Sequence, residues 1–134
     1  MLTSRECLDR LLQRHPDFAP AWEQHLAYWE GSGRGDYIDA SCFVDWLFGA
    51  VSRDDQPVLV AASESIEFLL DHGDAGLTEL VVVGILESLT NRCSHHPESS
   101  PFSRIARHLG PRAYRACRDL DQGWGTRTKG IDET

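Results

Sequence analysis

A helix that crosses a bilayer needs about 20 consecutive, mostly apolar residues, and the 134-residue chain contains no such run. Its most apolar stretch, Leu77 to Leu89, is too short and is interrupted by Glu79 and Glu87. No apolar secretion segment follows Met1, and the cysteines, Cys7, Cys42, Cys93 and Cys117, include no Cys-x-x-Cys pair. Together these absences predict a reduced, cytoplasmic protein with no disulfide framework. Positive charge is scarce as well. Lys and Arg number 13 against 21 Asp and Glu, a net charge of −8, which argues against nucleic acid or an anionic membrane as the main partner and favours a basic one.

Catalytic signatures are missing too. The run Gly31-Ser32-Gly33-Arg34-Gly35 lacks the Lys-Ser/Thr and the preceding strand of a phosphate-binding loop. There is no Gly-x-Ser-x-Gly nucleophile elbow. There is no Glu-x-x-His pair of the kind that holds two metal ions between facing helices. No segment repeats at a fixed period.

What is present reads as helix. Hydrophobic content of 41% with four tryptophans excludes a disordered chain, and the length suits one domain with one core. At roughly 100° per residue, Leu77, Leu80, Val81, Val82, Ile85, Leu86 and Leu89 cover most of a helix circumference. Glu79, Glu87 and Thr90 share a narrow stripe with Val83. A helix this apolar belongs in the middle of a bundle. The rival reading, a buried strand through Val81, Val82 and Val83, fits less well with Gly84 and the Leu-Glu-Ser-Leu ending.

Around that helix the chain is punctuated regularly. Thr3 with Glu6 forms a capping box ahead of Cys7, Leu8, Leu11 and Leu12, and His15-Pro16 ends the first helix. A second helix carries Trp22, Leu26 and Trp29, and Gly31 to Gly35 is a loop. Asp36 caps a third helix with Tyr37, Ala40, Phe43, Val44, Leu47, Phe48 and Val51 on its apolar face. A fourth runs from Val58 to about His72, burying Leu59, Ala62, Ile66, Leu69 and Leu70. Ser99 or Ser100 caps a helix holding Phe102, Ile105, Ala106 and Leu109. Gly110-Pro111 marks a stop and a start, and the last helix runs from about Arg112 to Trp124. The expected fold is an all-α single domain over residues 1–124, a bundle or short stacked array of six to seven helices. Trp22, Phe43, Leu47, Ile66, Leu69, Val82, Ile85 and Leu86 are its predicted core. Residues 125–134 have nothing to bury and are expected to form a mobile tail.

Two constellations carry candidate chemistry. Cys93, His95 and His96 could offer metal ligands, but a zinc site usually needs a second pair, so a solvated loop is the plainer reading and no cofactor is expected. The acidic positions weigh more. Glu64, Glu67 and Asp71 stand at i, i+3 and i+7 on one helix face, and Asp74, Glu79 and Glu87 follow on the next turn and helix. Like charges at such spacings cost a few tenths of a kcal/mol each. A ridge of them is explained either as a solvated face or as a docking surface for a cationic partner.

Three segments, Ser65-Ile66-Glu67-Phe68-Leu69-Leu70-Asp71-His72-Gly73-Asp74, Val83-Gly84-Ile85-Leu86-Glu87-Ser88-Leu89 and Leu109-Gly110-Pro111, resemble a family of small helical bacterial proteins of unassigned function. Pro16, Trp22 and His25 fit the opening of that pattern, which extends to about Trp124. Such proteins are similar to the immunity partners found beside secreted antibacterial toxins. The resemblance implies a non-enzymatic binding protein that occludes a cognate toxin, with the acidic positions as its contact surface. The competing expectation is a small helical enzyme or ligand carrier. Its pocket would be lined by Trp22, Trp29, Tyr37 and Trp46, with Glu67 or Glu87 as acid/base.

Overall fold

The computed structural model describes residues 1–125, 128, 130 and 131. Its helices are α1 (Cys7–Arg14), α2 (Ala19–Tyr28), α3 (Asp36–Arg53), α4 (Gln56–His72), α5 (Ala75–Glu79), α6 (Ser88–Ser94), α7 (Ser103–Ala106) and α8 (Pro111–Trp124). Between α5 and α6 the chain is π-helical over Leu80–Glu87, and both junction residues, Leu80 and Ser88, keep right-handed helical backbone. α5, the π stretch and α6 are therefore one continuous rod, and the all-α expectation of six to seven helices holds, with no strand among the described residues.

The rod is the hub. Leu77, Leu80, Val81, Ile85, Leu86 and Leu89 are each at most 1% exposed, and α3 and α8 both pack along the π stretch. Gly84 sets how closely α3 can approach, since a methyl there would lie 3.1 Å from Leu80 Cδ1 and 3.3 Å from Tyr37 Cδ1. Because π turns are wider than α turns, the 100° wheel drifts out of register here. Val82, predicted as core, is only half-buried, and the Glu79–Glu87–Thr90 stripe splits into an exposed Glu79 and half-buried Glu87 and Thr90.

α3 contributes Ala40, Phe43, Val44, Leu47, Ala50 and Val51 to the interior, and α4 adds Leu59, Ala62, Ile66 and Leu69. Phe18, in the turn after Pro16, meets Phe43 edge-on at 5.3 Å and lies beside Trp22 and Trp46. Trp22 is half-buried at the rim of this cluster instead of inside it. α3 ends at Asp54, whose backbone is left-handed (φ 52°). Arg104 Nη1 donates to the carbonyls of Val51 (2.8 Å), Ser52 (3.2 Å) and Ser99 (3.0 Å), a cation placed where a helix carries its negative end.

Two boundaries differ from expectation. Ser99 and Ser100 do not cap α7, which is four residues long and begins after Phe102. The Ser100 hydroxyl is buried and lies 2.6 Å from that of Ser52. The Gly125-onward segment does bury something: Ile131 is 0% exposed, and Thr128 donates from its amide (2.8 Å) and hydroxyl (2.6 Å) to Asp121. One β-branched side chain at the end of a polar stretch was too faint a signal to predict this return. The tail expectation for residues 126, 127, 129 and 132–134 lies outside the described residues. At the other end, Leu2 pairs in parallel with Gly73, its amide donating to His72 O (2.9 Å) and its carbonyl accepting from Asp74 N (2.8 Å).

Candidate functional site

α8 begins with Gly110-Pro111, so it has no capping side chain of its own. The amides at its second and third positions, Arg112 and Ala113, instead donate to the carboxylate of Glu67 on α4, at 3.1 and 3.0 Å. These are the donors that an N-cap side chain ordinarily satisfies. Gly110 makes the arrangement possible, because a Cβ at that position would lie 2.6 Å from the Glu67 carboxyl. Its backbone is extended (φ −71°), so glycine is used here for space and not for a left-handed turn. Arg112 adds ion pairs to Glu67 (3.3 Å) and Asp71 (2.9 Å).

The predicted acidic ridge is thereby divided. Glu64, Glu67 and Asp71 do share one face of α4, around a cleft of about 360 Å³ that is also lined by Arg14, Ser63, Phe68, His108 and Gly110. Asp74 is engaged elsewhere as the N-cap of α5, accepting from Leu77 N at 2.8 Å. Glu79 is exposed on α5, and Glu87 lines a different and larger cavity of about 740 Å³ with Thr90, Asn91, Phe102, Leu120, Asp121 and Trp124.

Within the α4 cleft several groups have settled partners. The Arg14 guanidinium lies 3.9 Å from the Phe68 ring centroid. His108 Nε2 is 2.7 Å from Gln56 Oε1, and the amide nitrogen of Gln56 donates to Asp54. That second bond orients the Gln56 amide, so His108 donates from Nε2 and its Nδ1 is left as an acceptor when the ring is neutral. Ser63 is 1% exposed, and its Oγ is the one buried side-chain oxygen or nitrogen without a hydrogen-bond partner among the described residues. Sequence reasoning missed Ser63, Arg14 and His108. The readable clue was the Gly-Pro start of α8, which requires an acceptor from elsewhere in the chain.

The remaining candidates fall apart spatially. Cys93 is buried on the inner face of α6, His95 Nδ1 lies 2.9 Å from Asn91 O, and His96 packs against Phe48. No group of three or more His, Cys, Asp or Glu among the described residues is placed to hold a metal ion. Trp22 and Trp46 belong to the packed cluster around Phe18, whereas Trp29 sits past the end of α2 and Tyr37 at the start of α3. They line neither of the two cavities just described. Burial pushes the Cys7 and Cys117 thiols up to about 12 and those of Cys42 and Cys93 to about 11. Neutral thiols in apolar surroundings are poor nucleophiles. No helix among the described residues is long and apolar enough to cross a membrane.

No curated protein and no solved structure matches the chain. A family model described as Domain of unknown function (DUF7674) matches residues 8–125, from the first turn of α1 to the end of α8, and the chain belongs to that family.

Proposed function

We propose that this protein is a non-enzymatic binding protein for a basic protein partner, acting as an immunity protein that covers the active site or substrate path of a cognate toxin. The observation that carries this reading is unspent negative charge. The net charge is −8, and Glu64 and Glu79 stand exposed on α4 and α5 without a hydrogen bond or ion pair among the described residues. The protonated thiols and the engaged imidazoles of His15, His25 and His108 fit a surface that binds without reacting. A stable complex buries on the order of 800 Å² per partner, and complementary charge chiefly raises its association rate.

The test uses surface plasmon resonance against the neighbouring gene product at two salt concentrations. Glu67 is unsuitable for charge reversal because it holds α8, so the informative variant is Glu64→Lys with Glu79→Lys. Association should slow and its salt dependence flatten, because exposed charges act over a screened distance of about 8–10 Å. Kinetics identical to wild type would remove both positions from the interface. The cavity beside Glu87 and Trp124 favours a second reading, a carrier of a small apolar ligand. Quenching of Trp124 fluorescence by such a ligand, with no protein partner found, would favour it.

A further inference from the structure

We propose that the cavity between the π stretch, α6 and α8 binds a small primary amine in its ammonium form, carried on an apolar alkyl or aryl body; this rests on the ligand-carrier reading above and gives that ligand a charge. The walls come first. Val83 of the π stretch, Phe102, and Leu120 and Trp124 of α8 give the cavity of about 740 Å³ an apolar lining, and a volume in this range suits a small molecule. Its charge has one sign. Glu87 and Asp121 line it, and no Lys, Arg or His does so among the described residues. The Asp121 oxygens accept from Thr128, whereas the half-buried Glu87 carboxylate has no hydrogen bond or ion pair among the described residues.

The hydroxyls decide what the ligand must bring. Each has one proton to donate, and those lining the cavity spend it inside the chain. Ser88 Oγ donates to Val83 O (3.2 Å), Thr90 Oγ1 to Glu87 O (2.9 Å), Ser94 Oγ to Asn91 O (2.6 Å) and Thr128 Oγ1 to Asp121 (2.6 Å). These oxygens and the Glu87 carboxylate meet a ligand as acceptors. They are also reachable, Ser88 and Ser94 being exposed and Glu87, Thr90 and Thr128 half-buried. The side-chain donors left are the Asn91 amide and the Trp124 indole, both on exposed residues, and the weakly donating Cys93 thiol. A carboxylate ligand would find no cation here, and a quaternary ammonium would bring charge without an N–H. A primary ammonium brings a charge and three donors, and its body takes the apolar walls. The wall that carries Val83 and Glu87 is π-helical, a backbone form frequent at functional sites.

Isotope-labelled protein would be titrated at neutral pH with phenethylamine, phenethyl alcohol and hydrocinnamate, one apolar body with three head groups, following backbone amide shifts. The expected result is saturable shifts at residues 83, 87–91 and 120–124. The amine should bind at least about tenfold more tightly than the alcohol, and Glu87→Gln should remove that margin, the size expected of one charge-assisted hydrogen bond. Shifts centred elsewhere, tightest binding by hydrocinnamate, or an amine affinity unchanged in Glu87→Gln would each overturn the assignment. So would an amine response confined to the double variant Arg127→Ala with Lys129→Ala, two residues outside the described set, because it would give the cavity to the chain's own cations. The two readings fail separately. Alcohol bound as tightly as amine defeats the ammonium and leaves an apolar carrier, whereas no saturable shift with any of the three defeats the cavity as well. The docking reading is tested at Glu64 and Glu79, which do not line this cavity.

Discussion

His15 is 6% exposed between Phe43 and Trp46, with Nε2 2.8 Å from Ser65 Oγ. Burial, and then the nearby Arg14 charge, hold its pKa below the ordinary 6.5. The unfolded chain therefore takes up this proton first as pH falls. The contribution is present above 6.5 and is lost as pH descends toward the lower folded value. Denaturation midpoints measured between about pH 7 and pH 5 should fall more steeply in wild type than in His15→Asn; parallel slopes would place the imidazole's titration outside folding. Ser63→Ala should be neutral or stabilising by up to about 1 kcal/mol, because it removes a buried hydroxyl that bonds nothing. A destabilisation larger than that in urea titrations would mean that Ser63 has a partner in solution.

Helix-scale behaviour turns on two joints. Glu67→Ala should cost about 1–2 kcal/mol by stripping the cap from α8. Gly110→Ala should be costly in the wild-type background and much less so beside Glu67→Ala, since the added methyl collides with that carboxyl. A double-mutant cycle should give a coupling of at least about 0.5 kcal/mol, and additivity would sever the proposed link. In the central rod, Ile85→Ala or Leu86→Ala should cost about 2–5 kcal/mol in chemical denaturation; changes below half of one at both sites would make the rod peripheral. Much of this architecture was legible. Pro16, the Gly31 to Gly35 loop and Gly110-Pro111 punctuate the chain where the sequence reading put its breaks, and apolar spacing located the rod. What escaped reading has physical causes. Local periodicity assumes one helical pitch, so the π stretch displaced Val82. The cleft joins α1, α4 and the α7–α8 turn, whose proximity no single segment encodes. The acidic ridge was visible, but that Glu67 and Asp74 serve as caps became clear only once α8 and α5 were in place.

Across the whole molecule the thiols offer a test of cooperativity. Cys7, Cys42, Cys93 and Cys117 belong to α1, α3, α6 and α8 and join one continuous hydrophobic cluster. Being buried and held neutral, they should resist alkylation until global opening and then react together, with a labelling rate that tracks stability in denaturant. Single labelling of one thiol under native conditions would show that its helix opens alone. The pairing of Leu2 with His72 and Asp74 also bears on synthesis. Leu2 leaves the ribosome some 70 residues ahead of its two partners. The capping box and α1 can form at once from neighbours in sequence. The Leu2 backbone must wait until α4 has emerged. A nascent chain arrested before Asp74 leaves the Leu2 amide and carbonyl without these partners, and synthesis through Asp74 supplies both.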